Sequence, residues 1–165
     1  MLIRDFRIGD EAALRSVFFS SVHELTAKDY SPEQRTAWAP PAYDESEWAA
    51  RMLGIRPFVA ELHGRVVGYA DLQPSGQIDH FFVAAPFAGC GIGGALMGHL
   101  HRCADERKIV ELWSDVSLTA EPFFAKRGFV VEARKTVQIR GVAMTNARMR
   151  KHLRGPVGAK PSAPR

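Results

Sequence analysis

The sequence predicts a mixed α/β (α+β) fold built on an antiparallel meander, and three observations carry that prediction. Residues 57–62, 66–72 and 77–83 are apolar-rich runs separated by His63-Gly64 and Pro74-Ser75-Gly76, the spacing of consecutive hairpins. Residues 91–106 then change to a helical period, with Ile92, Leu96, Leu100 and Cys103 on one face, and lead into the apolar run 109–113. Finally, 165 residues with 46% hydrophobic and 24% charged side chains suffice for one globular unit with a sizeable core.

The elements follow in chain order. Residues 2–6 alternate and read as a first strand; Asp10 can cap a helix from residue 11 to about 25, with Leu14, Val17, Phe18 and Val22 on its apolar side. Ser31 before Pro32 looks like an N-cap and first helical residue. Asp44 or Ser46 opens another helix, through Trp48 to Leu53. After the three-strand meander, helix 91–106 begins a crossover to strand 109–113. Residues 120–127 form a helix closed by Gly128, and 129–137 and 142–149 are the last strands. The domain is placed at 1–153. Residues 154–165, rich in Pro, Gly and Ala, are expected to form a disordered tail.

Net charge is +4, but the tail holds Arg154, Lys160 and Arg165 and no acid; without it the balance is 19 bases against 18 acids. A general nucleic-acid surface is therefore unsupported, while a modest basic patch for a phosphorylated small molecule fits. Cys90 and Cys103 lack metal-ligand spacing and read as free thiols of a reducing, cytoplasmic compartment, so no metal site is expected. Charge returns within four residues of Met1, which excludes a secretory h-region, and glycines and Pro86 break the uncharged stretch 80–101, so no membrane span is expected.

The most informative segment runs from Ile78-Asp79-His80-Phe81-Phe82-Val83 through Ala88-Gly89-Cys90-Gly91-Ile92-Gly93-Gly94, a strand entering a glycine loop that opens a helix. Glycines let a ligand approach the backbone, and the unpaired N–H groups of a first helical turn favour phosphate. No Lys-Ser/Thr follows the glycines, which excludes a P-loop, and a dinucleotide site would want a parallel first strand where this strand ends a meander.

The chain resembles the GCN5-related N-acetyltransferase (GNAT) superfamily, and within it the YafP-type acetyltransferases. Ala88-Gly89-Cys90-Gly91-Ile92-Gly93 is similar to the Gln/Arg-x-x-Gly-x-Gly/Ala signature, with Ala88 in place of Gln/Arg. Ala120-Glu121-Pro122-Phe123-Phe124-Ala125-Lys126-Arg127-Gly128-Phe129 is similar to the superfamily's Ala-x-x-Phe-Tyr-x-x-x-Gly-Phe. Tyr30-Ser31-Pro32-Glu33-Gln34, Ala37-Trp38-Ala39, Arg140-Gly141 and Thr145-Asn146 extend the likeness over about residues 2–153. It implies a mixed, mostly antiparallel central sheet with helices on both faces, splayed between the fourth and fifth strands. It also implies acetyl-coenzyme A as cofactor: backbone at Phe82 and Val83 would meet the pantetheine arm, Gly89, Cys90, Gly91, Gly93 and Gly94 would cradle the diphosphate, and Phe123 and Phe124 would flank the arm.

Acetyl transfer to an amine requires a deprotonated amine and a proton for the leaving thiolate. The superfamily often supplies that proton from a Tyr where this chain has Phe124, which cannot donate. Either another group or water takes that role, or coenzyme A leaves as an anion; for a protein donor, Tyr30 is the first choice. For the base, Asp79 ranks ahead of His80; strand alternation puts them on opposite faces, so only one would meet the acceptor. The competing expectation for His80 is a core position beneath the crossover helix. Tyr30 and Trp38 would wall the substrate pocket, with core filling as the rival role. The function expected is direct acetyl transfer to a small-molecule or peptide amine by a monomer or homodimer. The rival is a catalytically weak acyl-coenzyme A binding or sensing module, prompted by Ala88 and Phe124.

Overall fold

The computed structural model describes residues 1–153. The order is β1 (Leu2–Asp5), α1 (Glu11–Ser20) continued by a π-helical turn (Ser21–Leu25), α2 (Pro32–Trp38), α3 (Glu45–Ile55), β2 (Phe58–Leu62), β3 (Arg65–Ala70), β4 (Phe81–Val83), α4 (Ile92–Glu106), β5 (Glu111–Ser117), α5 (Glu121–Lys126), β6 (Val130–Ile139) and β7 (Val142–His152). The tail predicted at 154–165 lies outside the described residues. Among the described residues no helix is long and apolar enough to cross a membrane.

Local chemistry explains most boundaries. Ser31 and Gln34 form a reciprocal capping box around Pro32 at the start of α2, and the Asp44 carboxylate accepts the Glu47 N–H at the start of α3. His63-Gly64 and Arg140-Gly141 take positive φ at both residues, turns that match the twist of hairpins β2–β3 and β6–β7.

The strands form two ladders, β1-β2-β3-β4 and β5-β7-β6, and every strand pair within them is antiparallel. They join at one place. Ile78 N–H donates to Trp113 O at 2.8 Å, Trp113 N–H donates to Gly76 O at 3.1 Å, and Ser114 Oγ donates to Ile78 O at 2.7 Å. Gly76 is required there, because a Cβ would fall 2.1 Å from Glu111 O and its φ is +86°. Beyond this junction β4 and β5 are edge strands of separate ladders.

Helices pack on both faces of the first ladder. Phe58, Ala60 and Val67 face Leu96 and Leu100 of α4 in one core, while Val59 and Tyr69 face Leu14, Phe18 and Met52 of α1 and α3 in the other. Alternation along β2 feeds both cores, and in β3 the bulge at Val67, opposite Ala60 and Glu61, lets Val67 and Tyr69 enter different cores although they are two residues apart.

The third strand of the meander is shorter than the sequence pattern predicts. Residues 77–80 lie outside β4: backbone bonds persist from Asp71 N–H to His80 O at 3.1 Å and from Gln73 N–H to Gln77 O at 2.9 Å, and a side chain joins them, Asp71 Oδ1 accepting the N–H of Asp79 at 2.9 Å and of His80 at 2.6 Å. Predicted strand 109–113 is displaced to Glu111–Ser117, and the first helix ends its α geometry at Ser20.

Candidate active site

A cavity of about 720 Å³ straddles the split between the ladders. Asp79, His80 and Phe82 line it from the β4 side, and Asp115 and Ser117 from β5. Trp38, Tyr43, Trp48 and Arg51 close it from the α2–α3 region, and Arg140, Thr145 and Asn146 from the β6–β7 hairpin. The wall is aromatic: the Phe18 ring lies 4.9 Å from Phe82 and 5.3 Å from Trp48, and Tyr30 lies 5.6 Å from Trp38.

The structure corrects the expectation that Asp79 and His80 point to opposite faces. Alternation holds only for a strand, and residues 77–80 are not one, so both side chains reach the same cavity. Arg51 of α3 ties them together, donating from Nε to His80 Nε2 at 3.1 Å and from Nη2 to Asp79 Oδ2 at 3.2 Å. Because His80 Nε2 accepts, its ring proton sits on Nδ1, 3.0 Å from the Tyr69 hydroxyl. Burial, with the Arg51 charge adding to it, pushes the His80 imidazole down to about 3. It is a neutral, weakly basic ring at neutral pH. Nor does His80 lie beneath the crossover helix; its ring packs 6.0 Å from Phe18 and 6.1 Å from Trp48, on the α1/α3 side. The Asp79 side chain is about one-third exposed, and among the described residues Oδ1 meets no donor.

Beneath this pair lies Asp71, fully buried, whose Oδ2 accepts from Gln73 Nε2 at 2.7 Å. Burial raises its carboxyl to about 6 against the pull of its hydrogen bonds. Sequence reading missed Asp71, Arg51 and Ser117. Asp71 alone carried a legible signal, a carboxylate inside the otherwise apolar run 66–72.

Tyr30 is buried, and its hydroxyl donates to Thr145 O at 2.7 Å and accepts Leu118 N–H at 2.9 Å. Its proton thus ties α2's entry to β7, and burial raises its pKa. Trp38 is half-buried on the cavity wall. Phe124 is 2% exposed and packs on Phe81, Phe123 and Phe129, a core role. Phe123 is less buried and covers Gly93, where a Cβ would come 3.0 Å from its ring.

At the start of α4, Gly89 and Gly91 take φ of +76° and +83°, and a Cβ on either would meet only open space. No side chain caps the helix at Gly91. Arg127 stacks 3.7 Å over the Phe123 ring, with its Nη2 beside Gly94. Cys90 is exposed within this loop; Val83 is half-buried on β4.

Residues 26–153 match the model of the acetyltransferase (GNAT) domain family. The chain is 32% identical over 148 residues to the uncharacterized N-acetyltransferase YafP of Escherichia coli K12, covering 90% of this chain and 93% of YafP. A crystal structure of a GCN5-related N-acetyltransferase from Rhodopseudomonas palustris superposes with a TM-score of 0.88 at 39% identity, covering 92% of this chain and 95% of that one. The PaiA N-acetyltransferase of Thermoplasma acidophilum, solved in complex with coenzyme A, shares the fold at a TM-score of 0.71 and 19% identity, over 92% of this chain and 98% of its own. With a matching domain over most of its length and a relative above 30% identity, this chain belongs to the GNAT acetyltransferase family.

Proposed function

We propose that the protein is an acetyl-coenzyme A-dependent N-acetyltransferase that passes the acetyl group directly to the amine of a small molecule or peptide. The observation that carries this reading is the cavity itself, which is lined by both edges of the ladder split and has Asp79 on its wall. The family's donor is acetyl-coenzyme A, and this chain fits it. The open, positive-φ glycines, the uncapped first turn of a 15-residue helix and Arg127 beside Gly94 suit a diphosphate. Val83 turns its backbone N–H and C=O to the free edge of β4, where they would meet the pantetheine arm, whereas the backbone of Phe82 is turned to Tyr69 of β3. When bound, the cofactor supplies an activated thioester.

The chain's own residues do the rest. Phe18, Trp38 and Phe82 exclude water from the acceptor amine, so that it loses its charge more readily. Asp79 Oδ1 takes the amine proton, while Oδ2 stays anchored to Arg51. Arg51 and Tyr69 hold His80 as a spacer. With Phe124 in the core and the Tyr30 proton engaged, Ser117 is the better proton source for the leaving sulfur: its Oγ accepts Ala120 N–H and keeps its own proton free at the β5 side. Substitution Asp79→Asn is expected to lower kcat about 100-fold, the usual scale for a general base, with coenzyme A affinity unchanged. Unaltered kcat would remove Asp79 from the chemistry.

A further inference from the structure

Arg15 is a buried cation with no counter-ion. It is 8% exposed, and its guanidinium carbon lies 4.2 Å over the Tyr43 ring, 5.0 Å over Trp48 and 5.1 Å over Phe18. One nitrogen, Nη2, donates to Pro40 O at 2.7 Å. Nε is sealed from solvent and meets no acceptor. Among the described residues no carboxylate comes within ion-pair distance, yet Arg15 lines the cavity.

A second unpaired cation faces it. Arg140, in the β6–β7 turn at φ +47°, donates from Nη1 to Ala37 O at 2.7 Å and is also without a carboxylate. Burial lowers the Arg15 pKa, and the like charge of Arg140 adds a smaller push in the same direction. The other charged groups of the cavity are engaged or lie at its rim. Arg51 holds Asp79, Asp115 pairs with Lys135 and Arg148, Asp44 caps α3, and Glu47 is exposed.

Burying a charge is costly unless something pairs with it. Ring stacking offsets part of that cost, as cation–π contacts contribute roughly 0.5–2 kcal/mol. Fork-shaped guanidinium donors also match a carboxylate bidentately, which a lone carbonyl partner does not use. We propose that the acceptor is a small amine bearing a carboxylate, bound between Arg15 and Arg140 with its apolar body against Tyr43 and Trp48.

Arg15 lies 5.1 Å from the Phe18 ring, and Phe18 lies 4.9 Å from Phe82 on the β4 side, so a carboxylate held at Arg15 sits two ring contacts from the wall that faces the cofactor. This inference rests on the acetyltransferase reading and assigns its substrate class.

The test uses α-, β- and γ-amino acids, each paired with its carboxamide, including L-phenylalanine with L-phenylalaninamide. Coenzyme A release is measured on the full chain. The carboxylate member of at least one pair is expected to have a kcat/KM at least tenfold higher. Substitutions Arg15→Met and Arg140→Met are each expected to collapse that ratio toward one, chiefly through KM, while Arg15→Lys keeps part of it. Equal use of every pair, or a preference that survives both Met variants, overturns the proposal. Should Arg15→Met fail to fold, Arg140→Met decides alone. Should no amine be turned over, the acetyltransferase reading has failed separately. Calorimetric titration of the same pairs into the coenzyme A-loaded protein then decides: heat for the carboxylate only, lost in Arg140→Met, upholds the anion site, and no such difference overturns it.

Discussion

At neutral pH His80 is uncharged, with both ring nitrogens occupied by Arg51 and Tyr69, and the consequence is measurable as stability. An unfolded His binds a proton below its ordinary 6.5, whereas the folded ring does so only near 3, so folding loses stability as pH falls through that window. Asp71 works in the opposite sense. Its folded carboxyl holds a proton up to about 6 against 3.8 when unfolded, so its contribution grows as pH falls between those values. From pH 7 to 5 the His80 limb costs about 2 kcal/mol and the Asp71 limb returns about 1 kcal/mol. Urea denaturation at the two pH values should therefore show His80→Gln losing about 2 kcal/mol less than wild type on acidification, and Asp71→Asn losing about 1 kcal/mol more. Parallel pH dependences in all three proteins would contradict the burial of these groups. Tyr30 gives a second residue-scale expectation. Tyr30→Phe strands Thr145 O and Leu118 N–H and should cost about 1–3 kcal/mol of stability, with kcat of the folded enzyme within threefold of wild type. A hundredfold fall in kcat at unchanged melting temperature would restore Tyr30 as the proton donor.

Among the elements, α4 was legible because its apolar period and its glycine start are both local signals, and the structure begins the helix one residue after Gly91. The hairpin turns were legible for the same reason: His63-Gly64 carries its own backbone preference. Residues 77–80 were not. Their apolar and polar alternation mimics a strand, and what sets them apart is Asp71, a side chain eight residues earlier whose reach depends on the tertiary fold. The candidate site fared similarly. Asp79 and the glycine loop stand out in one dimension, whereas Arg51 reaches the site from a helix 28 residues away in sequence and Arg15 from α1. The α4 start carries its own prediction. Gly91→Val places a branched side chain at φ +83°, and Gly93→Val drives a Cβ to 3.0 Å from Phe123. Each should weaken coenzyme A binding at least tenfold in calorimetry on a folded variant, and unchanged affinity in both would remove this loop from the diphosphate site.

At the scale of the whole molecule, the separation of β4 from β5 organises everything else. The ladders are held together where Gly76 and Ile78 meet Trp113, and they part where Phe82 and Ser117 face the cavity. Two cores on opposite faces of the first ladder keep that separation fixed, since α4 and the α1/α3 pair cannot move without emptying packed apolar contacts. A split with the proposed diphosphate cradle at one end and a carboxylate-walled aromatic cavity at the other is suited to transfer between two bound molecules. A protein that only senses an acyl-coenzyme A would not need the second compartment. Free-thiol release from acetyl-coenzyme A, followed in the presence and absence of each amine of a panel, tests this most directly. Release is expected to saturate with at least one amine and to drop about 100-fold in Asp79→Asn; coenzyme A bound tightly but released at the amine-free rate with every acceptor would contradict acetyl transfer.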